Sequence, residues 1–234
     1  VQILAGIMLR AAAGRLHLSA TDMEISVRDS LEAEVEEEGA VVVPGRLLVD
    51  IVRLLPGGEV TLEHRADEGV VRLTCGSASY SLNTYGPEDF PRLPEIEPDS
   101  AFAVDREAFL DTISRVGRSA SRDESRPVLT GILVRFEGQK LVMAATDSYR
   151  LSVKETLLSG GPGQELEAIV PARALQELAR AGQAANSETI EVGVQENQVV
   201  FGVDGIWLTA RRIDGQFPNY KQLLPEQFEA EVQL

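Results

Sequence analysis

Apolar runs bounded by turn-forming residues predict several β-strands. Ile132 to Phe136 and Leu141 to Ala145 are apolar runs on either side of Glu137-Gly138. Glycine favours a tight turn because it adopts positive φ at little cost, so we predict a two-stranded hairpin here. Further strands are predicted at Ile190 to Val194, Val199 to Val203 and Ile206 to Ala210.

Helical spacing of apolar residues follows two prolines. After Pro44 these residues are Leu47, Leu48, Ile51, Val52 and Leu55, and after Pro171 they are Leu175, Leu178 and Ala179. Proline is favoured at the start of a helix, so a helix is predicted after each. A third amphipathic helix, opened by Asp105, is predicted from Phe109, Ile113 and Val116.

An internal repeat is the strongest feature of the sequence. Gly6 to Asp22 and Gly131 to Asp147 align without a gap, with seven identical positions in 17 residues. The register continues when Val43-Pro44 is aligned with Val170-Pro171, and Phe90-Pro91 with Phe217-Pro218. The chain therefore contains two copies of one α+β unit, each predicted to hold antiparallel sheets and two helices.

The repeat also predicts domain boundaries. Four prolines among acids between Gly86 and Ser100 predict an exposed linker, which gives a first domain at 1–98 and a second at 99–226. Thr146 lies 44 residues after Phe102, whereas only 20 residues precede Thr21, so we expect about two dozen residues of the first unit to be missing at its start. Residues 227–234 loosely echo the segment that begins at Phe102, which is compatible with a truncated third domain.

The two copies differ in spacing at one loop. Val27 lies five residues after Asp22, whereas Val153 lies six residues after Asp147. We therefore expect the loop Ser148-Tyr149-Arg150-Leu151 to have gained one residue. Repeated units often carry function where they differ, so this loop is a candidate site.

Composition describes an ordinary globular protein. The 234 residues are 44% hydrophobic and 25% charged, and no apolar run approaches the roughly 18 residues that a membrane helix needs. No secretory signal is visible, so a cytoplasmic location without membrane association is expected. The net charge of −15 argues against tight binding of nucleic acid through bulk electrostatics.

Enzymatic and metal chemistry find little support. Cys75 is the single cysteine and His17 and His64 are the two histidines, so neither a disulfide framework nor a soft-ligand metal cluster is predicted. No cofactor is predicted, because Ser159-Gly160-Gly161-Pro162-Gly163 lacks the Lys-Ser/Thr of a phosphate loop. A loose turn is expected there.

Two acidic pairs leave an enzyme as an alternative. Asp22 and Glu24 at alternate strand positions could share a face and bind Mg²⁺, and Asp123-Glu124 is a second pair. The competing interpretation is a solvated acidic face. Because no Ser, His or Cys constellation accompanies these pairs, we expect a protein that is not an enzyme.

Three motifs resemble the central domain of the bacterial sliding clamps, the DNA polymerase III beta subunits. They are Leu129-Thr130-Gly131, Ala145-Thr146-Asp147-Ser148-Tyr149-Arg150-Leu151 and Phe217-Pro218-Asn219-Tyr220, and the resemblance extends over essentially the whole chain. It implies repeated DNA-clamp domains with sheets outside and helices lining a channel around double-stranded DNA. It also implies a head-to-tail homodimer, no catalysis, and partners such as the DNA polymerase III alpha subunit and the clamp loader, bound through short peptides.

Arginines concentrate on the helices that would line such a channel. They are Arg46, Arg53, Arg106, Arg115, Arg118, Arg122, Arg126, Arg173 and Arg180. Acidic residues dominate elsewhere, as in Glu32 to Glu38. We therefore infer a weakly basic channel in an acidic ring, with loose phosphate contacts. The alternative is that each arginine lies on a solvated helix face.

The resemblance also implies a pocket for partner peptides in the second unit. Its residues would be Leu129, Thr146, Ser148, Tyr149, Arg150, Leu151, Pro218 and Leu223, with Gln222 at the rim. From spacing alone, the leucines would be core residues and Pro218 a turn residue. A second function therefore stays open, that of an acidic repeat-containing protein-interaction module without DNA binding.

Overall fold

The computed structural model describes residues 2–94, 101–163, 165–222 and 224. Contacts divide the chain into two compact units. Unit 1 comprises Val1–Asp99 and Val200–Ala210, and unit 2 comprises Ser100–Val199 and Arg211–Leu234. Both units combine antiparallel sheets with helices, which confirms the α+β prediction.

Unit 1 contains seven strands of the first copy among its described residues. They are β1 (Gly6–Ala12), β2 (Arg15–Thr21), β3 (Ile25–Glu32), β4 (Gly39–Pro44), β5 (Thr61–Arg65), β6 (Val70–Cys75) and β7 (Ala78–Asn83), with helix α1 (Gly45–Leu54) after β4. The sheet orders are β4-β1-β2-β3 and β5-β6-β7. Strand β15 (Ile206–Arg211) pairs antiparallel with β3, placing Trp207 opposite Arg28.

Unit 2 holds the second copy. Its elements are β8 (Phe102–Asp105), α2 (Arg106–Val116), α3 (Pro127–Thr130), β9 (Gly131–Glu137), β10 (Lys140–Thr146), β11 (Leu151–Leu157), β12 (Glu165–Pro171), α4 (Ala172–Ala184) and β13 (Thr189–Val194). Strand β14 (Gln198–Val203) begins in this unit. The sheet order is β11-β10-β9-β12, and β8 pairs antiparallel with β13.

The strand orders confirm the repeat. Order β4-β1-β2-β3 in unit 1 matches β12-β9-β10-β11 in unit 2, and α1 follows β4 as α4 follows β12. Two longer helices, α2 and α4, occur in unit 2 as predicted. In unit 1, α1 is the only α-helix among the described residues. The reason is that β8 and α2 lie ahead of the part that the two copies share.

Local sequence explains the element boundaries. The Asp105 carboxylate accepts a hydrogen bond of 2.7 Å from the Ala108 amide, which caps α2 as predicted. The predicted hairpin forms between β9 and β10, with Lys140 opposite Glu137. Gly138 adopts a φ of 64°, so the turn occupies Gly138 and Gln139, one residue later than predicted.

Each unit has its own apolar core. In unit 1, Leu9, Leu48, Leu73 and Leu82 pack together between the sheets and α1. In unit 2 the ring of Phe136 on β9 meets Phe102 on β8 edge to face, with ring centroids 5.0 Å apart, and stacks on Phe109 of α2 at 6.4 Å. These contacts fix α2 against the sheet.

The beginning of the predicted linker is part of the fold. Phe90 is buried, and Tyr85 exchanges backbone hydrogen bonds with Val42. The prediction of an exposed segment was therefore wrong for Phe90, because its apolar ring packs into the unit. Residues 95–100, and the suggested third-domain start at 227–234, lie outside the described residues.

Candidate functional site

The segment from Thr146 to Leu151 is a tight, hydrogen-bonded turn between β10 and β11. Thr146 Oγ1 donates to the Arg150 carbonyl at 2.8 Å and accepts from the Ser148 amide at 3.1 Å. The Asp147 carboxylate accepts from the amides of Tyr149 and Arg150 at 3.0 and 3.1 Å. Side-chain oxygens thus satisfy the backbone, as Thr and Asp commonly do at turns.

The first copy contains the same turn. Thr21 Oγ1 donates to the Ile25 carbonyl, and Asp22 accepts from the amides of Glu24 and Ile25. Met23 and Ser148 occupy equivalent positions and both have a φ of 80°. Positive φ is costly for a residue with a side chain, so the hydrogen bonds must hold this conformation in both copies.

The predicted one-residue insertion in the second copy was wrong. Thr21 pairs with Ser26, and Thr146 pairs with Leu151, so the two turns have the same length. Val27 and Val153 are not equivalent positions. Because successive side chains alternate between the two faces of a strand, these two valines lie on opposite faces of their strands. The copies differ in composition instead, since Leu151 replaces Ser26.

Leu151 contributes to an apolar cluster that reaches the surface of unit 2. This cluster, called the apolar site below, has buried Leu133, Ala144, Ile169 and Tyr220 at its base, with the partly buried Val128, Leu151, Ile213 and Phe217 packed against them. Tyr149 and Arg150 are exposed beside it. A shallow apolar surface with polar groups at its edge is suited to binding short peptides.

The other predicted pocket residues come from α3 and from the end of the described chain. Leu129 is half-buried on α3, directly after Val128, and its carbonyl accepts from the Ser121 amide at 2.8 Å. Pro218 is half-buried next to Phe217, and Gln222 is exposed. Leu223 lies outside the described residues.

Of the eight residues that define the apolar site, sequence reasoning assigned only Leu151 to the pocket and missed the other seven. Val128, Ile213, Phe217 and Tyr220 were not assigned to the pocket, although Phe217 and Tyr220 belong to a motif that was noted. The repeated Phe-Pro pair could have identified Phe217. No local pattern identifies Ile213, because it reaches the site only through the fold.

Asp147 is the electrostatic anchor of the turn. Hydrogen bonds hold the pKa of the Asp147 carboxyl below its usual range. The bond from the Tyr149 amide has the largest effect, and those from the Arg150 amide and guanidinium add to it. The Arg150 Nε lies 3.0 Å from Asp147 Oδ2. Asp147 is therefore ionised at neutral pH, with both backbone donors satisfied.

We expect the turn to be stable from about pH 8 to about pH 5 and to loosen only in stronger acid. A depressed folded pKa stabilises the folded state above the unfolded pKa, and this contribution is lost as pH falls through the folded value. The Tyr149 amide chemical shift, followed by NMR, should titrate only at acidic pH. Asp147→Asn keeps an acceptor for the amides and should abolish this titration, and a transition near neutrality would contradict the account.

The predicted channel arginines fall into two groups. Arg46, Arg53, Arg118 and Arg122 are exposed, and within the described part of the chain no ion pair or side-chain hydrogen bond engages them. Three of the others form ion pairs, with nitrogen–oxygen distances of 2.9 Å for Arg115 with Asp111, 2.7 Å for Arg180 with Glu177 and 3.1 Å for Arg126 with Asp123. Arg173 also makes a polar or electrostatic interaction.

Arg106 has a structural role within unit 2. Its Nη1 donates to the carbonyls of Gly182 and Ala185 at 2.6 and 2.7 Å, at the C-terminal end of α4. A cation there satisfies terminal carbonyls and complements the helix dipole. Arg106 is consequently half-buried and committed to joining α2 to α4.

The acidic pairs serve as turn residues. Asp22 caps the first-copy turn, and Asp123 accepts from the Ser125 amide and hydroxyl at 3.1 and 2.6 Å. Among the described residues, no group of three or more His, Cys, Asp or Glu side chains could hold a metal ion. No described helix is long and apolar enough to cross a membrane.

The glycine-rich segment after β11 is closely packed at Gly160 and Gly161, where the expectation of a loose turn was wrong, whereas Gly163 is exposed. A Cβ at Gly160 would lie 2.5 Å from the Ala103 carbonyl oxygen, and one at Gly161 would lie 2.5 Å from that of Gly138. These glycines therefore permit close approach of backbone segments.

Two family profiles match the chain. The profile of the DNA polymerase III beta subunit N-terminal domain matches residues 1–94, and that of the central domain matches residues 103–219. The beta sliding clamp of Micrococcus luteus is 38% identical over 97% of this chain and 72% of its own length. That of Streptomyces coelicolor is 38% identical over 97% of this chain and 60% of its own length.

Solved structures give the same result. The Caulobacter crescentus pol III beta structure matches with a TM-score of 0.89 at 30% identity, covering 97% of this chain and 63% of its own. The Bacillus subtilis sliding clamp matches with a TM-score of 0.87 at 27% identity, covering 96% and 61%. The chain thus spans about 60% of the length of most of these relatives.

Proposed function

Because the chain belongs to the DNA polymerase III beta subunit family, we propose that the complete protein is a sliding clamp. It would encircle double-stranded DNA as a non-catalytic ring and confer processivity on the replicative polymerase in the cytoplasm. The observation that carries this proposal is the repeat, in which two copies of one unit share the same strand order.

Strand edges support closure into a ring. Strand β15 is the second-copy counterpart of β7, and it pairs with β3 within unit 1. The counterpart of β3 is β11, and in the described part of the chain β7 and β11 each end their sheets. If the β3–β15 pairing is repeated, β11, as the counterpart of β3, would pair with a strand of a third domain. By the same rule β7, as the counterpart of β15, would pair with a strand of a second protomer. Such head-to-tail closure would pair the β7 and β11 edges, which could otherwise pair with other chains.

Exposed apolar residues on α1 support the proposal that the first domain is larger than its described part. Leu47 and Val52 are exposed, whereas Ala174 is buried and Ala179 half-buried at the equivalent positions of α4, which packs against α2. A strand and a helix like β8 and α2 would cover this face. The domains would then be the first at 1–98, the second at 99–226 and the start of a third at 227–234.

The unengaged arginines would provide the DNA contacts. Arg46, Arg53, Arg118 and Arg122 are exposed on α1 and just after α2, although the net charge is −15. A few exposed cations in an acidic protein give weak, salt-screened attraction to phosphates. Such contacts would guide DNA without anchoring it, which sliding requires.

Arginine substitution tests this assignment. In the variant with Arg46, Arg53, Arg118 and Arg122 all changed to Gln, we expect weaker binding to short linear duplex DNA, measured by fluorescence anisotropy at several salt concentrations. The plot of log K against log salt should become shallower by about 0.9 for each phosphate that the variant no longer neutralises. The control variant Arg115→Gln/Arg180→Gln removes arginines that are already paired and should change the slope less. Equal slopes in all three proteins would reject the assignment.

The apolar site would receive the partner proteins. Its apolar floor and polar edge suit a short peptide bearing leucine and phenylalanine side chains. We propose that the DNA polymerase III alpha subunit, the clamp loader and other replication proteins dock there in turn. Leu129, Thr146, Ser148, Tyr149, Arg150, Leu151, Pro218, Gln222 and Leu223 keep their assignment to this site as part of the proposal.

A further inference from the structure

Ser148 is held in a costly backbone conformation beside the apolar site. Its φ of 80° lies in the left-handed region, which residues other than Gly, Asn and Asp rarely adopt. The Ser148 amide is bound by Thr146 Oγ1 at 3.1 Å, and this bond also exists in the first copy. The Ser148 side chain makes an additional contact, to Arg126.

Arg126 connects two segments that border the apolar site. Its Nη1 donates to Ser148 Oγ at 2.9 Å, and its Nε donates to Asp123 Oδ2 at 3.1 Å. Arg126 directly precedes α3, and its carbonyl accepts from the Leu129 amide at 3.0 Å. The residue therefore joins the segment bearing Val128 and Leu129 to the turn that leads into Leu151.

The orientation of the Arg126 guanidinium is fixed by Asp123. Hydrogen bonds from the hydroxyl and amide of Ser125 hold the pKa of the Asp123 carboxyl below its usual range, and the bond from Arg126 has a smaller effect in the same direction. Asp123 is therefore a charged acceptor throughout the neutral range, and a charge-assisted hydrogen bond is stronger than a neutral one. With Nε bound to Asp123, the planar guanidinium directs Nη1 to Ser148.

We propose that Arg126 is a positioning residue of the peptide site, which sets the distance between α3 and the Ser148 turn by holding Ser148 in place. It acts through Ser148 and contributes little to DNA binding, unlike the four unengaged arginines. The ligand class is a short apolar peptide, so the inference rests on the proposed function.

A double-mutant cycle tests the inference in the complete protein. The probe is a fluorescent Gln-Leu-x-Leu-Phe peptide, and the variants are Arg126→Gln, Ser148→Gly and both together. We expect Arg126→Gln to weaken binding about three- to tenfold by loss of a charge-assisted hydrogen bond. Ser148→Gly removes the acceptor but adopts a positive φ freely, so in that background Arg126→Gln should change affinity less than about twofold.

Two further readouts separate positioning from other roles. In the free protein, Arg126→Gln should speed hydrogen exchange at the Ser148 and Tyr149 amides and leave α4 unchanged. Arg180→Gln, which removes an exposed arginine from an ion pair with Glu177, is the matched control and should leave peptide affinity unchanged.

The outcomes are distinguishable. An equal loss from Arg126→Gln in both backgrounds, or unchanged amide exchange in the turn, overturns the positioning role and leaves the peptide site intact. Failure of the wild-type protein to bind the peptide overturns both the site and this inference. A smaller loss in the Ser148→Gly background, together with faster exchange, supports the inference.

Discussion

Leu151→Asp should abolish binding of a Gln-Leu-x-Leu-Phe peptide to the complete protein. Leu151 packs against the buried base of the apolar site. A carboxylate introduced there must lose hydration when the peptide covers it, and the neighbouring Arg150 is already paired with Asp147. We expect the affinity measured by fluorescence anisotropy to fall by at least about a hundredfold, as for a central interface residue.

The equivalent turn of the first copy provides a control for this substitution. Met23 is 65% exposed on the equivalent turn of unit 1, where Ser26 replaces Leu151 and no peptide site is proposed. Met23→Asp should therefore leave peptide affinity unchanged. Leu151→Ala, which introduces no charge, should show an intermediate loss, and circular dichroism should report an intact fold in all variants. Full binding by Leu151→Asp would remove the peptide site from unit 2.

Phe136→Ala should cause the largest loss of stability that we predict for unit 2. The Phe136 side chain is fully buried on β9 and contacts the rings of Phe102 on β8 and Phe109 on α2. Removing a buried phenylalanine leaves a cavity and typically costs about 3–5 kcal/mol. Native-state hydrogen exchange at the amides of β9 and α2 should report this loss as a lower free energy of opening.

Leu157→Ala is the corresponding surface control. Leu157 is 80% exposed at the end of β11, so its truncation should change stability by no more than about 0.5 kcal/mol. A similar small effect of Phe136→Ala would mean that the three rings do not secure α2 to the sheet. A loss confined to α2, with β9 unchanged, would place the cavity at the helix alone.

Those features that depend on local spacing could be predicted from the sequence. Helix α2 begins after the Asp105 cap, and β9 and β10 form the hairpin expected from their apolar runs. The repeat predicted two copies of one fold, because identical positions at a constant offset reflect a shared backbone. The extra loop residue was wrongly predicted because the two valines that were matched stand at different positions of their strands.

Features that depend on distant segments could not be predicted. Ile213 and Phe217 join the apolar site only because the chain returns after β15, and the bond from Arg126 to Ser148 spans 22 residues. Arg106 was grouped with the channel arginines, yet it bonds to the end of α4, 76 residues later in the sequence. Local patterns carry no information about such contacts.

Retention on DNA of different topology tests the central proposal most directly. The complete protein would be loaded by the clamp loader onto closed circular DNA, and its dissociation followed before and after the circle is cut once. A ring with weak phosphate contacts should persist on the circle at high salt and leave promptly once free ends exist. Equal retention on circular and cut DNA, or loss from both on raising the salt, would contradict encirclement and leave only a protein with the fold of a clamp.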